Sequence, residues 1–151
     1  VNATDEGSSA LYISNDNGVS NNYTTTSTSA AWAYRDIYLD STYGEYFVTF
    51  KFKGAGESQY YDNLKVYLGP RVTPPATATL SGANLEGSVL LGTFVNSLEW
   101  TDCSFNINSS FSGDKRLYFL WWKTLSFDNG FRLADRNNNR FSFYPCIDNR
   151  Q

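Results

Sequence analysis

Four carboxylates stand where turns can gather oxygen atoms around a cation. Asp16 lies in Asn15-Asp16-Asn17-Gly18, Glu57 and Asp62 flank Ser58-Gln59-Tyr60-Tyr61, and Asp148 follows Ile147. Calcium takes about six to eight oxygens from carboxylates, amides and backbone carbonyls, so each of these is a candidate metal ligand. None of the segments has the length and spacing of an EF-hand loop, and any site must therefore be assembled from distant parts of the chain. Each carboxylate also has a plainer reading. Asp16 can cap backbone N–H groups in an Asx turn, and the other three can hydrogen-bond their loops or pair with Lys and Arg.

A second kind of chemistry belongs to the aromatic residues. Sugar rings present apolar C–H faces on which exposed aromatic side chains stack, while carboxylates and amides bond the hydroxyls. Trp122, Tyr60, Tyr61 and Trp32 are the candidate ligand-binding residues. In the run from Leu117 to Trp122 both strand faces are apolar, so Trp122 either packs on a second sheet surface or stands exposed. Tyr60 and Tyr61 sit in a loop, where they either meet a partner or plug a corner of the fold. Catalysis has little to work with. The chain contains no histidine, which excludes Ser-His-Asp and Cys-His arrangements and imidazole zinc sites. Among fifteen acidic residues no pair is singled out for glycoside hydrolysis. Arg132, Arg136 and Arg140 are spaced four apart, but the asparagines between the last two argue against a helix, and the stretch reads as a solvated loop.

The elements that must position these residues are strands. Eleven Tyr, eleven Phe and four Trp among 151 residues, with abundant Thr, Ser, Asn and Gly, favour strands and turns and fit a single domain large enough to hold its own core. Tyr46, Val48, Phe50 and Phe52 alternate with Phe47, Thr49, Lys51 and Lys53, which predicts a strand with one core face and one solvent face. Further strands are expected over Ala10–Ser14, Trp32–Leu39, Leu64–Leu68, Gly87–Val95, Leu98–Ile107, Lys115–Lys123 and Arg140–Ile147. Pro70, Pro74 and Pro75 stiffen the connector that follows the fourth strand, while 21–29 and 135–139 read as a surface loop and a turn. About eight strands without an amphipathic helix predict an all-β fold, a two-sheet antiparallel sandwich of jelly-roll type. Cys103 and Cys146 are a possible bridge, opposed by strand parity.

The net charge of −3 comes without a basic block, which argues against nucleic acid as a partner. No run is long and apolar enough to insert in a membrane as a helix. A chain that begins at Val1 and contains no Met is expected to be a mature product or an excised module.

Several segments in order resemble one family. They are Leu-Tyr-Ile-Ser-Asn-Asp-Asn-Gly from residue 11, Ala-Tyr-Arg-Asp-Ile-Tyr from 33, Gly-Glu-Ser-Gln-Tyr-Tyr-Asp-Asn-Leu-Lys-Val-Tyr-Leu from 56, Arg-Leu-Tyr-Phe-Leu-Trp-Trp-Lys from 116 and Pro-Cys-Ile-Asp-Asn from 145. Together they are similar to cleaved-adhesin domains, the jelly-roll adhesin modules attached to gingipain proteases and related to meprin-type and carbohydrate-binding domains. The resemblance implies a non-catalytic adhesion or glycan-binding module of a secreted or bacterial cell-surface protein, with structural calcium near some of the carboxylates. Its partners would be a glycan or a host or extracellular protein, and neighbouring domains of a parent chain. The chain departs from the family's pattern at Trp122, Lys123, Thr124 and Arg150. The alternatives are a protein-binding or interdomain module with no sugar site and, behind it, a small glycosidase or lyase.

Overall fold

The computed structural model describes residues 10–17, 19–20, 27–54, 61–74, 85–123 and 141–148, with residues 109 and 141–148 described by their backbone alone. Each expected strand segment holds a strand: β1 (Leu11–Tyr12), β2 (Ser29–Leu39), β3 (Glu45–Gly54), β4 (Asn63–Gly69), β5 (Val89–Phe94), β6 (Ser97–Asn108), β7 (Gly113–Lys123) and β8 (Phe141–Asp148). A 3-10 turn, Ser109–Phe111, was not anticipated. It starts where the Asn108 side chain accepts a hydrogen bond from the Ser110 N–H, the capping chemistry that competes with strand continuation.

The strands form two antiparallel four-stranded sheets. One has the order β1-β8-β3-β6 and the other β2-β7-β4-β5. In β3 the alternation predicted from sequence is realised: Tyr46, Val48, Phe50 and Phe52 are buried, and Phe47, Thr49, Lys51 and Lys53 are partly exposed. The buried set meets Leu64, Val66 and Leu68 of β4, Cys103 and Ile107 of β6, and Leu117, Phe119 and Trp121 of β7 in one cluster. Both sheets therefore share a single core, and the arrangement is sandwich-like.

At the centre of that core Phe50 meets Phe94, Phe105 and Phe119 with ring centroids 5.3, 5.7 and 5.8 Å away. Gly92 makes room for this cluster, because a Cβ there would stand 2.8 Å from the Phe105 ring. The register of β5 against β4 shifts beside Gly92, between Val66 and Tyr67, as happens where a bulge adds one residue to one strand.

The register also fixes the ends of the molecule. Gly54 of β3, Asn63 of β4 and Lys123 of β7 lie toward one end, that of Asp62. Glu45 of β3, Leu39 of β2 and Asn108 of β6 lie toward the opposite end, that of the 40–44 turn. Cys103 pairs with Phe50 from one side of β3, and Cys146 pairs with Thr49 from the other. Two interstrand spacings exceed the roughly 7 Å that a disulfide spans between Cα atoms, and Cys103 is a free, buried thiol.

Candidate functional site

β7 runs between β2 and β4, and its alternate residues serve two different surfaces. Leu117, Phe119 and Trp121 enter the shared core. Tyr118, Leu120 and Trp122 point outward and form a second cluster with Tyr67 and Leu85, flanked by Ala30 and Trp32. The outer face of the other sheet carries Phe47, Thr49, Lys51 and Lys53 of β3 beside Asp102, Ser104 and Asn106 of β6. Among the described residues, aromatic side chains are therefore more numerous on the outer face of the β2-β7-β4-β5 sheet.

That face has a covered half and an open half. In the covered half Trp122 is only 2% exposed, and the Lys65 ammonium lies 4.9 Å from its ring centroid. Burial pushes the Lys65 pKa down. The indole nitrogens of Trp122 and Trp32 are buried and have no hydrogen-bond partner among the described residues. Trp122 is therefore packed rather than presented as a stacking platform. Trp32 is half-buried, 6.2 Å from Tyr118 and 6.4 Å from Tyr67.

The open half follows β2 toward the 40–44 turn. Tyr34 and Tyr38 are 54% and 67% exposed, and with Asp36 between them they occupy successive outward positions of the strand. Across the register Tyr34 faces Tyr118, Asp36 faces Arg116 and Tyr38 faces Asp114. Arg116 donates to Asp36 twice, from Nε to Oδ1 at 2.5 Å and from Nη2 to Oδ2 at 3.0 Å. Its guanidinium carbon sits 4.1 Å from the centroid of Tyr34, so one group orients both the carboxylate and the ring. Hydrogen bonding from Arg116 holds the Asp36 carboxyl below the usual aspartate range, against the opposing effect of desolvation.

The chain that leaves β4 is tied to the same place. The Tyr118 hydroxyl donates to the Pro70 carbonyl and accepts from the Val72 N–H at 3.0 Å. Arg116 Nη1 donates to the Val72 carbonyl at 3.0 Å. Arg71 pairs with Asp114 at 2.8 Å and approaches Asp36 at 3.9 Å. The plain role of this network is to pin residues 70–74 over β7. It also leaves Asp36, Asp114 and Arg71 solvent-accessible beside two open tyrosine rings.

No protein-family profile, curated protein or solved structure matches this chain.

The residues singled out from sequence are dispersed. Asp16 caps an exposed turn: Ser14 Oγ donates to Oδ1 at 2.6 Å, and Ser20 donates from N to Oδ1 at 2.9 Å and from Oγ to Oδ2 at 2.6 Å. These bonds, Ser14's foremost, draw its carboxyl down to about 2. Asp62 is buried at the start of β4, beside the half-buried Tyr61. Asp148 pairs with Phe47 near the 40–44 end, whereas Asp62 precedes Asn63 at the other end. Asp148 and Asp62 therefore cannot share an ion. Glu57 and Tyr60 lie outside the described residues, among which no three His, Cys, Asp or Glu side chains assemble as a metal site.

Tyr34, Asp36, Tyr38, Arg71, Asp114 and Arg116 escaped the sequence reading. The signal was present in the outward parity of Trp32, Tyr34, Asp36 and Tyr38 against Ala31, Ala33, Ile37 and Leu39. A cavity of about 310 Å³ between β1 and β2, walled by Leu11, Ile13, Ala31, Ala33, Phe119 and Trp121 among others, is mostly apolar and lies apart from this charged face.

Proposed function

We propose that the chain is a non-catalytic glycan-binding or adhesin module, and that its binding face is the open half of the β2-β7-β4-β5 sheet. The observation that carries this reading is the pair of exposed rings, Tyr34 and Tyr38, on either side of an Asp36 carboxylate held in place by Arg116. Rings supply stacking surface at little conformational cost, and the carboxylates and the Arg71 guanidinium supply acceptors and donors for hydroxyls. The orders β1-β8-β3-β6 and β2-β7-β4-β5 support reading the fold as a jelly roll, in line with the resemblance to cleaved-adhesin modules. That resemblance also favours a module of a secreted or surface-attached bacterial protein.

Asp36 is unsuited to a general-acid role, which needs a raised carboxyl pKa, because Arg116 lowers its pKa. The test is a glycan array read with the wild-type chain and with Tyr34→Ala and Tyr38→Ala. Hits that both substitutions weaken about tenfold support the assignment, and an array with no hits rejects it.

A second reading, a module that binds protein, draws on a different surface. Val95 and Leu98, 37% and 63% exposed, flank the turn from β5 to β6. Calcium enters the proposal only at the Asp62 end, since Asp148 lies at the opposite end of the sheets.

A further inference from the structure

We infer that the ligand of this face is an uncharged, extended glycan chain lying along β2 across Tyr34, Asp36 and Tyr38, an inference that rests on the glycan-binding function proposed above. Charge is the first argument. The exposed network contains two guanidiniums and two carboxylates, and they compensate one another: Arg116 gives two donors to Asp36 and a third to the Val72 carbonyl, and Arg71 pairs with Asp114. Capture of a uronate or a sulfate calls for a guanidinium fork free to meet two anionic oxygens, and here both forks are occupied within the protein. A cationic amino sugar would find each carboxylate already neutralised at close range. Arg35 and Lys115 occupy alternate positions of their strands, pairing with Leu117 and Ile37 of the core-facing set, and Lys65 is stacked on Trp122 in the covered half. Strand parity starts Lys115 and the exposed Arg35 on the side of their strands opposite Tyr34, Asp36 and Tyr38, and the stack on Trp122 keeps Lys65 in the covered half.

Geometry is the second argument. Tyr34 and Tyr38 are four residues apart on one strand, which separates the rings by about 13 Å along β2. That length seats several linked rings rather than one. β2 is an edge strand of its sheet, so among the described residues no neighbouring strand walls off that side. A strand surface open at its side accepts the interior of a chain, whereas a terminal sugar is held by a closed pocket. Asp36 and Asp114 have side-chain exposures of 42% and 65%, and Arg71 of 39%. They can therefore bond hydroxyls between the two stacking positions, since each retains lone pairs or N–H groups beyond its ion pair.

Titration calorimetry with neutral gluco-, manno- and xylo-oligosaccharides of one to six units, and with polygalacturonate and chitosan fragments of matched length, tests the inference. At least one neutral series should bind, with affinity rising with length and no detectable binding of the monosaccharide. The affinity should change less than about twofold between low and high salt, because screening acts on charges. Tyr34→Ala and Tyr38→Ala should each weaken it about tenfold, and Tyr38→Phe, which keeps the ring and guards against a folding artefact, should retain it. Binding confined to the polygalacturonate or chitosan fragments and lost in Tyr34→Ala overturns the uncharged ligand but leaves the glycan-binding reading standing. Tight binding of a monosaccharide at this face overturns the extended one. Absence of binding to every probe, or binding that survives both alanine substitutions, overturns the glycan-binding reading and this inference with it.

Discussion

At the scale of single residues, the clearest outcome concerns Asp16. Its carboxylate accepts from Ser14 and Ser20 and is held at about 2, below the ordinary aspartate value near 3.9. A folded-state pKa below the unfolded one means that the unfolded chain binds the proton more readily. The turn's contribution is therefore complete above about pH 4 and is lost as pH falls toward about 2. An NMR titration of the Asp16 carboxyl carbon should show its midpoint well under 3, and Asp16→Asn should flatten the acid limb of the unfolding midpoint between those values. The turn propensity of Asn15-Asp16-Asn17-Gly18 was legible in the sequence, as was the choice between capping and metal binding. The capping itself, through the reach of Ser14 and Ser20, depends on a backbone path that includes Asn17 at φ 58°. Trp122 teaches the converse. The doubly apolar run was visible, but whether its outer side is covered depends on Leu85, a residue no local pattern links to it.

At the scale of elements, two contacts between separate segments decide the shape of the binding face and of the core beneath it. Tyr118 is fully buried, and its hydroxyl ties down Pro70 and Val72. Tyr118→Phe keeps the ring but leaves the Pro70 carbonyl short of a donor, which should cost about 1–2 kcal/mol. Urea unfolding should show that loss, and proteolysis should cut faster within 70–74. Below the sheet, Gly92→Ala would place a Cβ 2.8 Å from the Phe105 ring. Overpacking of this kind costs about 1–3 kcal/mol, and adding Phe105→Leu should recover part of the loss, which equilibrium denaturation of the double variant would reveal. Strand positions were legible because period-two alternation reports a half-buried sheet directly, most plainly in β3. The bulge beside Gly92 and the tie at Tyr118 were not, because both arise between segments that sequence spacing does not relate.

At the scale of the whole molecule, the all-β class followed from composition, and the pairing order did not. Knowing that eight strands exist does not say that β3 lies between β6 and β8. That order decides which carboxylates meet, and it sends Asp148 to one end and Asp62 to the other. Calcium, if bound by the folded state alone, raises the melting temperature with the logarithm of its concentration once that exceeds Kd. On the proposal that an ion sits at the Asp62 end, millimolar calcium should raise the melt by several degrees and Asp62→Asn should abolish the rise. A melt indifferent to calcium and to chelator removes the ion from the account.

The position of β3 has a further consequence, in the order of events by which the chain folds. Phe50 pairs with Cys103 on one side and Pro145 on the other, and β1 pairs with β8. Every ladder of that sheet waits on residues distant in sequence, so closing it demands long loops before any pairing rewards them. Folding should therefore run in milliseconds to seconds rather than microseconds. A nascent chain that has not yet presented 141–148 also carries the Tyr46–Phe52 strand with one edge unpaired, open to association with other chains until its last partner arrives.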